Sequence, residues 1–564
     1  MDIETLPGLR LEVTGREVSA CRAPQPGRRR AWRRQLLGLP AALLLVFLLI
    51  PMIWTLAWAL RGDPPVVGNF ADILTDPGAL AAGWHSLLWV LIATVLIALG
   101  YGIARISRLV SGLWRVLLYV LLLPFGVSAL VSGAVIRMVF DPNPERGMVS
   151  ALFGDRLIWL GPGLIWVVLA VAFAWTWLGF IVVLFRAGMD ADPGRRRAGP
   201  VTTIVVLTVL VAAIRVFDLV LIVPPGSVRD GVDVVGLHWW RMVSGSAETG
   251  GPAALAVLLF VIVAAIALAG MRGSGQRDAS AAAEASRPQA EPEPPAAEPP
   301  RRHRGWSRSV GLGLGAFWLL PVVILVATAL HQPAAAGSAG WWRLDGLGLG
   351  SFAVLAESWL WPALFGSLFL AGLATALVVA AAAPAAYLLV WGGLPRRLSA
   401  TLHVLLVVLA VAPVQLYAGP LGDAMSSLGL TGSRAPLAVV HAAAGLPFAI
   451  LVLRTAFLAA PVRDIGEQRP ALDAMWRRGR YRPAVIAVLV LEFVLVWNDF
   501  IVGFLISGPG PTPFTLLLWG EARQFGASAG TVAAASVAAA VIPVGVLLLT
   551  WPKVVAGLTG GVRR

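Results

Sequence analysis

The residues that invite a chemical reading are ionisable or amide side chains set inside long apolar runs. Arg215 and Asp218 lie in AAIRVFDLVLIV, and Glu492, Trp497, Asn498 and Asp499 lie in LEFVLVWNDFIVGF. A charge within a membrane-spanning helix is costly and marks a pathway, a relay or a buried pair. Arg215 and Asp218 are three positions apart, so on a continuous helix they share a face and can neutralise each other. Glu492 and Asp499, seven apart, share a face in the same way. Two readings follow: a polar stripe lining a cavity, or a self-neutralised helix contact. Trp497 with Asn498 and Asp499 adds an aromatic face beside amide and carboxylate groups, the combination a sugar pocket uses. A tryptophan in an apolar run also serves simply as packing.

Other chemistry is thinly represented. The single lysine, Lys553, sits in TWPKVV with no glycine-rich turn before it, so a phosphate-cradling nucleotide loop is missing. No HExxH-type spacing and no carboxylate pair in a catalytic loop is present, which points away from an enzyme. The single cysteine, Cys21, excludes an internal disulfide and a multi-cysteine metal site. No cofactor is expected on this chain.

These residues must be positioned by membrane helices. Of the 564 residues, 58% are hydrophobic and 13% charged, and the mean hydropathy is +0.81. Soluble domains carry about 25% charged residues. The expected fold is all-α, with about a dozen transmembrane helices in two six-helix halves. The spans fall near Leu36–Leu60, Trp84–Ala104, Leu113–Val139, Gly163–Phe185, Pro200–Val223 and Pro252–Gly270. A second set falls near Val310–Leu330, Pro362–Trp391, Ala400–Ala418, Ala435–Leu458, Pro483–Ile506 and Ala529–Trp551. Residues 1–35 read as a polar tail, 36–271 as the first half, 272–308 as a linker and 309–564 as the second half. The linker contains PQAEPEPPAAEPPRRHR, which lacks periodicity and cannot bury a core. Arg215–Asp218 and Glu492–Asp499 both fall on the fifth span of their half.

The net charge of +14 is clustered in arginines before the first span and after the even-numbered ones: Arg28–Arg30, Arg105, Arg108, Arg195–Arg197, the linker, Arg396, Arg397, Arg477 and Arg478. Topology explains these clusters better than nucleic-acid binding does. The positive-inside rule places both termini and the linker in the cytoplasm. His238-Trp239-Trp240 and Trp341-Trp342 then lie on the outer side, where an interfacial aromatic belt is the plainer expectation than ligand contact.

The C-terminal stretch, from LEFVLVWNDFIVGF to WPKVVAGLTGGVRR, resembles the end of carbohydrate ABC-transporter permeases of the maltose/α-glucoside type. VAPVQLYAGPLGDAMSSLGLTGSRAPLAVVHAAAGLPFAILVLRTAF resembles the middle spans of that family, with Pro413, Gln415, His441, Gly445, Leu446, Pro447 and Arg454. WTWLGFIVVLFRAGM and AAIRVFDLVLIV resemble the partner permease. The resemblance implies two permease subunits fused in one chain of a bacterial plasma membrane. It implies a cytoplasmic ABC ATPase dimer that uses ATP, an extracytoplasmic solute-binding protein and a sugar substrate moved by alternating access. Arg215, Phe217, Asp218, Trp497, Asn498 and Asp499 become the expected substrate-pathway residues. The family's cytoplasmic coupling segment, Glu-Ala-Ala followed by Asp-Gly-Ala, is only approximated by APVRDIGEQRPALDAMW, with Pro461, Glu467 and Asp473, and is nearly absent around Asp190 and Pro193. A coupling-defective permease therefore stands beside a working one. A secondary carrier is the other alternative, since six spans, a cytoplasmic linker and six more suit that class too.

Overall fold

The computed structural model describes residues 37–107, 114–154, 156–191, 199–245, 248–285, 304–336, 340–458, 481–507, 513–522 and 529–558. Among these residues the chain is all-α; the only extended pairing is an isolated bridge, His331 to Leu347. Among the described residues, nine helices are long and apolar enough to cross a membrane, or up to eleven if each of two sharply bent pairs is one span.

The spans of the first half are α1 (Leu37–Ala59), α2 (Pro77–Ser107), the pair α3 (Val116–Gly126) and α4 (Ala129–Val139), and α5 (Ile165–Ala191). They continue with α6 (Gly199–Ile214), α7 (Asp218–Ile222), α8 (Val235–Gly245) and α9 (Gly250–Ala285). The second half holds α10 (Arg304–Ala329), α11 (Leu360–Trp391), the pair α12 (Arg396–Ala410) and α13 (Gln415–Ser427), and α14 (Arg434–Leu458). It ends with α15 (Arg482–Asn498), α16 (Ile501–Ile506), α17 (Phe514–Ala522) and α18 (Ala529–Leu558).

Several expected spans are not straight rods. The span expected at Leu113–Val139 bends by 105° between α3 and α4. Pro124 and Gly126 sit in its 3₁₀ turn, and the Ser128 hydroxyl accepts the Val131 N–H at 3.2 Å to start α4. The span expected at Ala400–Ala418 bends by 78° between α12 and α13, beside Pro413, which has no N–H to continue a helix. The span expected at Pro483–Ile506 is a helix of 17 residues, then a break, then α16. Seventeen residues reach only about 25 Å, short of the roughly 30 Å hydrocarbon layer. The segment read as a structureless linker from residue 272 begins as helix, since α9 runs on to Ala285; residues 286–303 lie outside the described set.

The two halves are not separate bundles. One buried cluster joins Leu43, Leu48 and Met52 of α1 and Ala254 and Leu259 of α9 to α11, α13 and α14. The other joins α4, α5 and α6 to Trp318, Ile324 and Leu325 of α10 and to α18. The first helix of each half thus packs against the other half, and apolar burial favours the halves staying together.

Candidate functional site

The fifth span of each half is interrupted where its polar residues lie. Helix α6 stops at Ile214 and α7 starts at Asp218, with Phe217 at φ −142° and ψ −57° between them. Arg215 and Asp218 consequently do not share a face of one helix, and no ion pair joins them, which corrects the continuous-helix expectation. Val216 and Phe217 turn inward and are buried, whereas Arg215 and Asp218 keep accessible surface. The two charged groups are thus half-buried at the break, and the residues between them are packed in the core.

In the second half α15 ends at Asn498, and Asp499 and Phe500 bridge to α16. This break is heavily bonded. The Asp499 carboxylate accepts the N–H groups of Val502 at 3.0 Å and Gly503 at 3.1 Å, capping the first turn of α16. The Thr515 hydroxyl donates to the Asp499 carbonyl at 2.6 Å. Trp497, buried, donates its indole N–H to the Ala539 carbonyl at 2.9 Å. Asn498 donates to the Gly126 carbonyl of the α3–α4 bend at 3.0 Å, a bond between the two halves.

Glu492 does not join Asp499 on a shared polar stripe. Asp499 lies beyond the end of α15, and Glu492 is 2% exposed. The Glu492 carboxylate rests against Gly445 of α14, where a Cβ would collide with it, and its Oε1 has no hydrogen-bond partner. The glycine is what makes room for the buried acid.

The two interruptions meet. Phe217 stacks on Phe500 with ring centroids 6.3 Å apart and an interplanar angle of 29°. Arg215 and Asp218 both lie within electrostatic reach of Asp499, and Arg215 within that of Tyr417. His441 Nε2 lies 3.9 Å from Asp499 Oδ2. Of the six residues expected along a pathway, Arg215, Asp218, Asn498 and Asp499 retain accessible surface here, while Phe217 and Trp497 are buried and hold the walls. Phe500 and Tyr417 were missed; the aromatic immediately after WND was the available signal for the first.

An aromatic series continues from this junction. Phe500 stacks on Phe504 at 5.0 Å, and Phe504 contacts Trp240 at 5.5 Å and Trp519 at 5.2 Å. Beyond it lies a cavity of about 520 Å³ whose lining includes Arg137, Leu221, Arg229, Trp240 and Trp519. Its walls come from both halves. Trp240, which the sequence suggested as part of an interfacial belt, lines this cavity.

The expected coupling residues are less accessible to description. Asp190, exposed at the end of α5, pairs with Arg186 at 2.9 Å, and Arg186 also donates to the Ser107 hydroxyl at 3.1 Å. Pro193, Pro461, Glu467 and Asp473 lie outside the described residues. Among the described residues, no group of three or more His, Cys, Asp or Glu side chains is placed to hold a metal ion.

The fold and the site define an all-α multi-pass membrane protein with two interrupted spans joined across its middle. It is similar to proteins described as permeases. The chain is 32% identical over 163 residues to an osmoprotective compounds uptake permease protein of Synechocystis sp., covering 28% of this chain and 53% of that protein. It is 28% identical over 218 residues to a diacetylchitobiose uptake system permease protein of Streptomyces coelicolor, covering 31% of this chain and 60% of that one. It is 22% identical over 269 residues to a probable ABC transporter permease protein of Pyrococcus horikoshii, covering 39% of this chain and 91% of the relative. The chain therefore spans little more than half the length of the first two relatives. No family model matches it. These similarities agree with the resemblance to carbohydrate ABC permeases and lend nothing to the secondary-carrier alternative.

Proposed function

We propose that the chain forms the translocation pathway of an ATP-driven importer for a sugar or similar polyhydroxylated solute, with both permease halves in one polypeptide. The observation that carries this reading is the meeting of the two broken fifth spans. Each break leaves polar side chains with accessible surface at mid-span, and the breaks touch through Phe217 and Phe500. Irregular backbone within a membrane is tolerated where it lines a cavity or is covered by protein. The relatives' descriptions as uptake permeases fit such a pathway.

In this reading both termini and the linker are cytoplasmic, and the Trp240–Trp519 cavity is the outer vestibule, where a solute-binding protein delivers its cargo. ATP binding by a cytoplasmic ATPase dimer moves the halves and transfers access from one side to the other. Glu467 anchors the ATPase in the second half, and Asp190 marks the shortened counterpart in the first. Because α1 and α10 each pack against the opposite half, movement of one half is transmitted to the other through packed helices.

The test is reconstitution of the intact chain with the ATPase and solute-binding protein encoded beside it. Solute-dependent ATP hydrolysis and uptake are expected, and both should fall at least about tenfold in Asp218→Ala. Uptake that needs no ATPase, or uptake unchanged in Asp218→Ala and Asn498→Ala together, contradicts the reading. Glu467→Ala is expected to weaken ATPase capture; intact capture and stimulation would remove Glu467 as the anchor.

A further inference from the structure

Helix α8, which carries Trp240 into the cavity wall, is tied to the outer end of α2 by a cluster of ionisable groups. Its start is held by two bonds: the Val235 N–H donates to the Ser86 hydroxyl at 3.1 Å, and His85, reaching from α2, donates its Nδ1–H to the Asp233 carbonyl at 2.7 Å. Within the first turn His238 stands between two carboxylates. Its Nδ1 lies 3.4 Å from Asp233 Oδ2, and its Nε2 lies 3.4 Å from Asp76 Oδ2. Asp76 immediately precedes α2 and accepts the Ala79 N–H at 2.6 Å, so it also caps that helix. Gly78 makes room for the imidazole, since a Cβ there would stand 2.9 Å from His238 Cε1. Arg241 completes the cluster, pairing with Asp233 at 3.1 Å and with Asp230 at 2.8 Å. Helices α9 and α16 also touch α8; α9 has no ionisable residue before Arg272, and α16 has none. Glu248, in the connection from α8 to α9, is exposed.

The geometry sets the protonation state in which this cluster holds. A neutral imidazole carries one N–H and one lone pair, so it donates to one carboxylate and turns a lone pair on the other. An imidazolium donates from both nitrogens and bridges Asp76 to Asp233. Histidine is the side chain whose charge ordinarily changes between about pH 5 and 8, so the bridge is made at acidic pH and lost as the pH rises. His238 and Trp240 are two positions apart, about 200° around a helix. The bridge therefore grips one side of α8, while Trp240 projects from the other towards Phe504, at 5.5 Å, and the cavity. We propose that His238 is a proton-dependent positioning residue for solute capture: as an imidazolium it fastens α8 to the cap of α2 and so fixes Trp240 in the vestibule wall. This rests on the translocation-pathway reading and adds regulation of that site by the pH of the outer medium.

Two measurements on the intact chain test it. In a Cys21→Ser background, spin labels on Leu80→Cys of α2 and Val243→Cys of α8, both exposed positions, report the spacing of the two helices in lipid nanodiscs by dipolar broadening. Strong broadening is expected at about pH 6 and weaker broadening at about pH 8.5. Reconstituted with its ATPase and solute-binding protein, the chain should show a KM for uptake that rises about threefold over the same interval, with little change in maximal rate. His238→Gln should give the high KM at both pH values. His238→Arg, which keeps a charge and several donors, should give the low KM at both. A pH response that persists in His238→Gln, broadening that does not change with pH while His238 is present, or broadening that responds while KM stays flat overturns the proposal. Absence of uptake at either pH counts against the pathway reading, and the spin labels then decide the bridge on their own.

Discussion

The two interrupted fifth spans differ in how they are held. The break at Trp497–Phe500 is fixed by a carboxylate cap, a threonine bond, an indole bond to α18 and an amide bond to the other half. At the break between Ile214 and Asp218, no hydrogen bond or ion pair between described residues uses the side chain of Arg215 or Asp218. The backbone of that break is carried mainly by burial of Val216 and Phe217 and by the Phe217–Phe500 stack. One break is therefore held by several side-chain bonds, and the other leaves two half-buried charged side chains without a hydrogen bond or ion pair among the described residues. Equivalent positions in the two halves are thus held differently: by side-chain hydrogen bonds in the second, by apolar burial in the first.

Substitutions can break this contrast, and their effects should grade downward from the heavily bonded break to the other. Trp497→Ala removes a buried indole and its bond to Ala539, and is expected to cost about 3–5 kcal/mol in detergent unfolding; Trp497→Phe should cost only about 1 kcal/mol. Asp499→Ala removes the cap of α16 and should cost about 1–2 kcal/mol. Asp499→Asn, whose amide oxygen still accepts a bond, should recover much of that loss. Asn498→Ala breaks the bond to Gly126 and should cost about 1 kcal/mol; a larger loss would mean that the joint between halves depends on this residue more than a single bond allows. Arg215→Ala should leave stability within about 0.5 kcal/mol while uptake collapses. A destabilisation equal to that of Asp499→Ala would make the first break structural as well, and the contrast would fail.

Much of this arrangement was visible in the residues alone. The apolar runs, the change in composition at the linker and the placement of charge on both fifth spans follow from membrane energetics. Pro124, Gly126 and Pro413 fall inside apolar runs and mark the two bent spans. The break at Asp499 had a local signal, because consecutive Asn and Asp favour turns through side-chain bonds to nearby backbone. The break at Arg215 had none: IRVFD contains neither Pro nor Gly, and its interruption coincides with a stacking contact to a residue 283 positions further on. The cavity role of Trp240 was illegible for a related reason. A tryptophan near a membrane surface has the same sequence context whether it faces lipid or lines a vestibule, and only the position of Trp519 and Phe504 decides between them. The break at Arg215 escaped for a further reason, since a hydropathy window runs through a helix break without registering it.

Cys21 is the sole cysteine, so a cysteine-free background is one substitution away, and accessibility can be read position by position. In a Cys21→Ser background, Arg215→Cys, Asp218→Cys and Asn498→Cys should each react with a small water-soluble thiol reagent in membranes and be protected by transported solute. Phe217→Cys and Trp497→Cys should remain unreactive. Labelling at the first three and silence at the last two is the result of a water-accessible pathway bounded by two broken helices; uniform silence at Arg215→Cys, Asp218→Cys and Asn498→Cys would show these side chains packed against protein or lipid and would contradict the account.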